Sequence, residues 1–122
     1  MPKRRRRSPP VKPSPLNALT ESELEGKFLN LLLSHKLHPI QQHKFHPVRN
    51  WRFDFSWPDK RLAIEVQGFG PGHNSLQGMQ SDYEKHNAAL VLGWRIIYFM
   101  AKDIDPYRQD DTIGLVRYLL GV

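Results

Sequence analysis

Large apolar side chains alternate with polar or small ones twice in close succession, as W-R-F-D-F-S-W over 51–57 and L-A-I-E-V-Q over 62–67. A period of two with aromatic and β-branched residues predicts two strands, and P-D-K-R at 58–61 predicts the turn between them. Closing the hairpin symmetrically pairs Trp57 with Leu62, Phe55 with Ile64 and Phe53 with Val66, all on one apolar face. The other face then pairs Ser56 with Ala63, Asp54 with Glu65 and Arg52 with Gln67. Opposed side chains have Cβ atoms about 4.5–5.5 Å apart, so this register sets two carboxylates side by side. A slip of one residue would bury them in the core.

A helix precedes the hairpin, from Thr20 or Glu21 to Ser34 or His35. Leu24, Phe28, Leu31, Leu32 and His35 recur at helical spacing, and Thr20-x-x-Glu23 and Ser22-x-x-Glu25 both match a capping box. An edge strand is expected over about His43–Val48. Residues 68–79 carry glycine at 68, 70, 72 and 78 and read as a mobile loop. A helix over Gln80–Leu92 follows, with Tyr83, Asn87, Leu90 and Val91 on one side, Ala88, Ala89 and Leu92 widening the packed surface, and Gly93 as its C-cap. The dense apolar run Trp94–Met100 predicts a buried strand. A last helix from about Pro106 to Leu120 turns Ile113, Val116, Leu119 and Leu120 inward. The order is helix, three antiparallel strands, helix, parallel strand, helix, with a right-handed crossover expected at the βαβ unit.

The 122 residues suffice for one core and hold no cysteine, which excludes a disulfide framework and a cysteine-based zinc site. No apolar run approaches the roughly 18 residues of a membrane span, and no apolar segment follows the basic start as a signal peptide requires. Charge divides the chain. Lys3, Arg4, Arg5, Arg6, Arg7 and Lys12 hold six of the 18 basic side chains, leaving 12 basic against 12 acidic in the rest. Residues 1–17 are also rich in proline and poor in apolar residues, so they read as a disordered arm preceding one domain over 18–122. Such an arm suits nucleic-acid phosphates, nuclear import or solubility alone.

Two adjacent carboxylates repel unless a proton or cation lies between them, and their oxygens suit a hard divalent ion. The plainer reading is a half-exposed hairpin whose outer face happens to carry charge. His35, His38, His43 and His46 invite a zinc reading, which requires all four rings to converge. Histidines three apart on a strand point to opposite faces, so solvated histidines near a nucleic-acid groove are the favoured reading.

Asp54, ten intervening residues and then Glu65-Val66-Gln67 on an apolar strand resemble the active-site hairpin of PD-(D/E)XK nucleases. The resemblance covers residues 20–105. It implies an α/β, restriction-endonuclease-like αβββαβ core with a central mixed four-stranded sheet flanked by helices. Two features depart from the motif: Gln67 replaces the usual lysine, and Phe53 replaces the proline before the aspartate. Some branches move the basic residue to the following helix, where Lys85 stands. Asp82, Lys85, Asn87 and Trp94 look like a Vsr-related branch met among phage and bacterial nucleases.

The resemblance implies a Mg²⁺- or Mn²⁺-dependent endonuclease that hydrolyses DNA by in-line attack of a metal-activated water. Asp54, Glu65 and the Val66 carbonyl would hold the ion, with Glu25 on the first helix directly or through water. Lys85 or Gln67 would stabilise the reacting phosphate, and Arg52, His73, Asn74 and the arm's cations would meet nucleic acid. Ordinary readings stand beside these: Glu25 as a first-turn acid favoured by the helix dipole, and Lys85 as a salt-bridge partner of Asp82. The implied partner is double-stranded or branched DNA, with homodimerisation left open. The implied location is the cytoplasm of a bacterial or phage-infected cell, or the nucleus of a eukaryote. The alternative is a nucleic-acid-binding protein or repair-complex subunit that keeps the fold without cleaving.

Overall fold

Alternation at period two becomes the centre of a sheet, and helical spacing becomes its two covers. A computed structural model describes residues 19–68 and 76–122, with 76–81 described by backbone alone. The basic arm, with Lys3, Arg4, Arg5, Arg6, Arg7 and Lys12, lies outside the described residues, as do His73 and Asn74. Seven main elements follow in order: α1 (Glu21–Ser34), β1 (Ile40–Lys44), β2 (Arg52–Trp57), β3 (Leu62–Gln67), α2 (Leu76–Val91), β4 (Arg95–Met100) and α3 (Gln109–Leu120). The sheet order is β1-β2-β3-β4, with β4 alone parallel to its neighbour. This is a mixed α/β architecture whose four-stranded sheet is flanked by helices, as the sequence implies.

Thr20 caps α1, its hydroxyl accepting the Glu23 amide proton at 3.2 Å. Leu24, Phe28, Leu31 and Leu32 are buried along its inner stripe. With Ile113, Val116 and Leu120 of α3 they pack on Phe55, Leu62, Ile64, Val66 and Phe99 of the sheet. On the opposite face Phe53, Ala63, Ala89 and Trp94 form a second core, flanked by Phe45 and Ile96. The β2–β3 turn is a 3-10 turn over Pro58–Lys60 closed by Arg61 at φ +48°, whose amide donates to the Pro58 carbonyl at 3.1 Å. No described helix is long and apolar enough to cross a membrane.

Several boundaries and faces differ from the pattern. The edge strand lies at Ile40–Lys44, earlier than expected, because His46 bonds the amides of Val48 and Arg49 and turns the chain out of the sheet. Helix α2 begins at Leu76 and runs through Gly78, while α3 begins only at Gln109, after a 3-10 turn over Ala101–Ile104. Tyr83, Leu90 and Val91 are exposed, at 53%, 54% and 86%. Of the expected packed surface Ala89 is the residue that is buried, its small side chain admitting the helix close to Trp94 and Phe53. Phe53 also leaves the face shared by Phe55 and Trp57. The β1–β2 register pairs Gln41 with Phe55 and His43 with Phe53 and passes over Gln42, whose φ is +50°. The β2–β3 ladder stops at Phe55 and Ile64. Beyond it the carboxylates of Asp54 and Glu65 take the backbone amides in place of ladder bonds, so alternation is not kept and Phe53 and Phe55 end on opposite sides of the sheet.

Candidate active site

The β2–β3 ladder pairs Trp57 with Leu62, Ser56 with Ala63 and Phe55 with Ile64. The ladder ends there, and just beyond it Asp54 and Glu65 meet through their side chains. At that level carboxylates bridge the strands: the Val66 amide donates to Asp54 Oδ2 at 2.7 Å, and the Asp54 amide donates to Glu65 Oε2 at 3.1 Å. Each carboxylate is thus oriented by the opposite backbone through a charge-assisted bond. Glu65 is 9% exposed, and Asp54 is half-buried.

Lys85 reaches this pair from α2, its ammonium donating to Glu65 Oε1. The same nitrogen lies 5.6 Å from the centre of the Phe53 ring. Burial pushes the Lys85 amine below its ordinary pKa, against the opposing pull of Asp54 and Glu21. Glu25 approaches from α1. Burial raises its pKa to about 8, assisted by the charge of Asp54, a hydrogen bond with that carboxylate and the charge of Glu21. Glu25 therefore holds a proton at neutral pH and shares a hydrogen bond with Asp54. Gln42 donates from β1 to Glu25 Oε2 at 3.4 Å.

These groups border a polar recess of about 130 Å³ whose lining includes Asp54, Glu65, Val66, Gln67 and Lys85. Glu21, Asp82 and Tyr98 complete the wall. Burial and then the charge of Asp82 raise the Tyr98 pKa, and its hydroxyl is 3.2 Å from His86 Nδ1. Glu25 adjoins the recess through Asp54, while Arg52 is exposed on β2 two residues earlier.

Glu21, Gln42 and Tyr98 join the site without having been singled out in the sequence. Glu21 has a readable signal, since it precedes Glu25 by four residues and shares its helix face. Tyr98 is the parallel-register partner of Glu65, a relation that no local pattern encodes. The four histidines do not converge. His43 Nδ1 bonds Ser56 Oγ at 3.0 Å, His46 bonds its own turn, and His35 caps the C-terminus of α1.

Among the described residues no three His, Cys, Asp or Glu side chains converge as a ready-made metal set. A lysine ammonium sits on Glu65, and the raised pKa of Glu25 favours a protonated carboxyl beside Asp54. The donor chemistry nonetheless fits a hard divalent ion, because the recess offers carboxylate and carbonyl oxygens and its carboxylate pair already holds a cation.

No protein-family model matches the chain. Two Mycobacterium tuberculosis proteins are 28% identical over 88 residues: Uncharacterized protein Rv2248 (strain ATCC 25618 / H37Rv) and Uncharacterized protein MT2308 (strain CDC 1551 / Oshkosh). The match covers 69% of the chain but spans only 32% of each relative. In structure, the chain is similar to the catalytic domain of homing endonuclease I-Bth0305I. The TM-score is 0.58 at 17% identity, over 85% of this chain and 97% of that domain. At that identity the likeness shows a shared fold.

Proposed function

We propose that this chain is a metal-dependent endonuclease of the PD-(D/E)XK kind that hydrolyses phosphodiester bonds in DNA. The observation that carries the reading is the pinned Asp54–Glu65 pair with Lys85 directed at it, on a fold shared with a homing-endonuclease catalytic domain. Asp54, Glu65 and the Val66 carbonyl would hold Mg²⁺ or Mn²⁺, with Glu25 contributing once it loses its proton. Bound there, the ion polarises the phosphoryl group and offsets the charge that develops during in-line displacement.

The chain's own groups divide the remaining work. The Val66 and Asp54 amides fix the two carboxylates before substrate arrives, so little reorganisation is left for the reaction. Lys85 is carried on α2 and presents its ammonium to the developing phosphate charge. It substitutes from the helix for the lysine that the motif usually carries at the position of Gln67. Gln67, half-buried at the end of β3, orients the attacking water through its amide. Glu25 keeps or releases a proton at its carboxylate and thereby sets the charge of the recess.

A second reading, DNA binding without cleavage, is favoured by the Lys85–Glu65 contact, which places an ammonium where an ion would bind. Incubation of the full chain with plasmid and branched DNA, with Mg²⁺ and with EDTA, separates the two. Nuclease action predicts nicked or linear product with Mg²⁺ alone, whereas intact but retarded DNA under both conditions supports the binding protein.

A further inference from the structure

The segment between β1 and β2 is irregular yet held at nearly every residue. Phe45 stacks on Phe53 with ring centroids 3.9 Å apart. His46 Nδ1 accepts the amide protons of Val48 at 3.2 Å and Arg49 at 2.9 Å. The His46 ring meets Trp51 edge-on at 5.3 Å, and the Arg49 guanidinium lies 4.3 Å from the centre of the Trp51 ring. Arg49 also reaches Glu84 of α2 at 3.9 Å, a long exposed pair that leaves its charge available. None of this holds the tip in the protein: Val48 is 83% exposed.

The loop also has a charge of its own. Residues 40–53 contain no acid, and Lys44, Arg49 and Arg52 are exposed. It stands beside the recess: Phe45 stacks on Phe53, whose ring centre lies 5.6 Å from Lys85 Nζ, and Arg49 reaches Glu84 on the same helix as Lys85. The recess itself is lined by Glu21, Asp54, Glu65 and Asp82, a set that repels a polyanion. Basic groups on its rim offset that repulsion. A single exposed apolar residue is ordinary on a protein surface. This one is different in being presented by an anchored loop with cations on both sides.

We propose that the loop over residues 45–51 is the element that docks double-stranded DNA. Val48 seats against sugar and base edges in a groove, while Lys44, Arg49 and Arg52 neutralise the flanking phosphates. The duplex backbone is thereby delivered to Asp54 and Glu65. This rests on the recess being the DNA-cleaving site, but docking itself needs no metal.

Binding of a fluorescent duplex to the full chain in EDTA, over a range of salt, tests it. Val48→Ser should weaken binding about fivefold by losing apolar contact, with the salt slope unchanged. Arg49→Gln/Arg52→Gln should weaken binding and lower the log–log salt slope by about 2, one counterion for each lost phosphate contact. Lys36→Gln/Lys60→Gln removes the same charge at the far end of the sheet and should bind like wild type. The proposal is overturned if the loop double variant behaves like that control, if Val48→Ser binds like wild type, or if wild type has no affinity for the duplex. Mg²⁺-dependent cleavage, assayed separately, keeps the two readings apart. A protein that docks through the loop but never cuts loses the nuclease reading alone. One that cuts while its loop variants bind normally loses the docking reading alone.

Discussion

Gln67 cannot carry charge, yet phosphodiester chemistry benefits from a cation next to the reacting phosphate. The proposed chemistry gives that role to Lys85. Lys85→Ala should therefore slow single-turnover cleavage by roughly 10²-fold, the scale of losing one preorganised charge stabiliser. Gln67→Lys in that background should restore part of the rate by returning the charge to β3. Wild-type cleavage by Lys85→Ala would remove Lys85 from the chemistry. Glu25 gives a pH signature. Its folded pKa of about 8 lies above the ordinary 4.5, so between those values the metal-free folded protein binds more protons than the unfolded chain. The stability it contributes is full below pH 4.5 and is lost as pH rises through about 8. Thermal midpoints in EDTA should decline across that window, and Glu25→Gln should flatten the decline; identical profiles would contradict the assignment. The pairing of Asp54 with Glu65 was legible because a period of two and a short turn fix the register. Gln42 and Tyr98 were not, because one enters through a left-handed backbone and the other through a parallel neighbour 33 residues away.

At the scale of elements, strand and helix order followed from periodicity, but the inner face of α2 followed only in part, through Ala89. Tyr83, Leu90 and Val91 are the larger apolar residues, yet Ala89 is buried because Trp94 and Phe53 already fill the space above the sheet. Bulk on the two sides of α2 should have opposite consequences. Ala89→Leu overfills the second core and should cost about 1–3 kcal/mol in chemical denaturation. Val91→Glu, at a residue 86% exposed, should change stability by less than about 0.5 kcal/mol. The reverse ranking would mean that α2 packs through its other side. The misassigned face of Phe53 has a comparable origin. Alternation assumes an unbroken ladder, and the β2–β3 ladder ends at Phe55 and Ile64, where the Asp54 and Glu65 carboxylates take the next amides.

Across the whole molecule, charge is segregated. The recess is acidic, the loop beside it is basic, and six further cations lie in residues 1–17. A polyanion would be gathered by the arm and loop before meeting the carboxylates. Deleting residues 1–17 should weaken duplex binding and lower the log–log salt slope by up to about 5, if every arm charge meets a phosphate. An unchanged slope would show that the arm does not touch nucleic acid. The ladder and the carboxylate–amide bonds place the Asp54–Glu65 pair at the open end of the central hairpin, and the nuclease reading stands or falls on that pair. Its most direct test is the single-turnover cleavage rate of Asp54→Ala and Glu65→Ala against wild type at the same Mg²⁺ concentration, with folding checked by thermal midpoint. Both variants should remain folded and show no cleavage above background. A folded variant of either residue that cuts DNA at the wild-type rate would contradict the site.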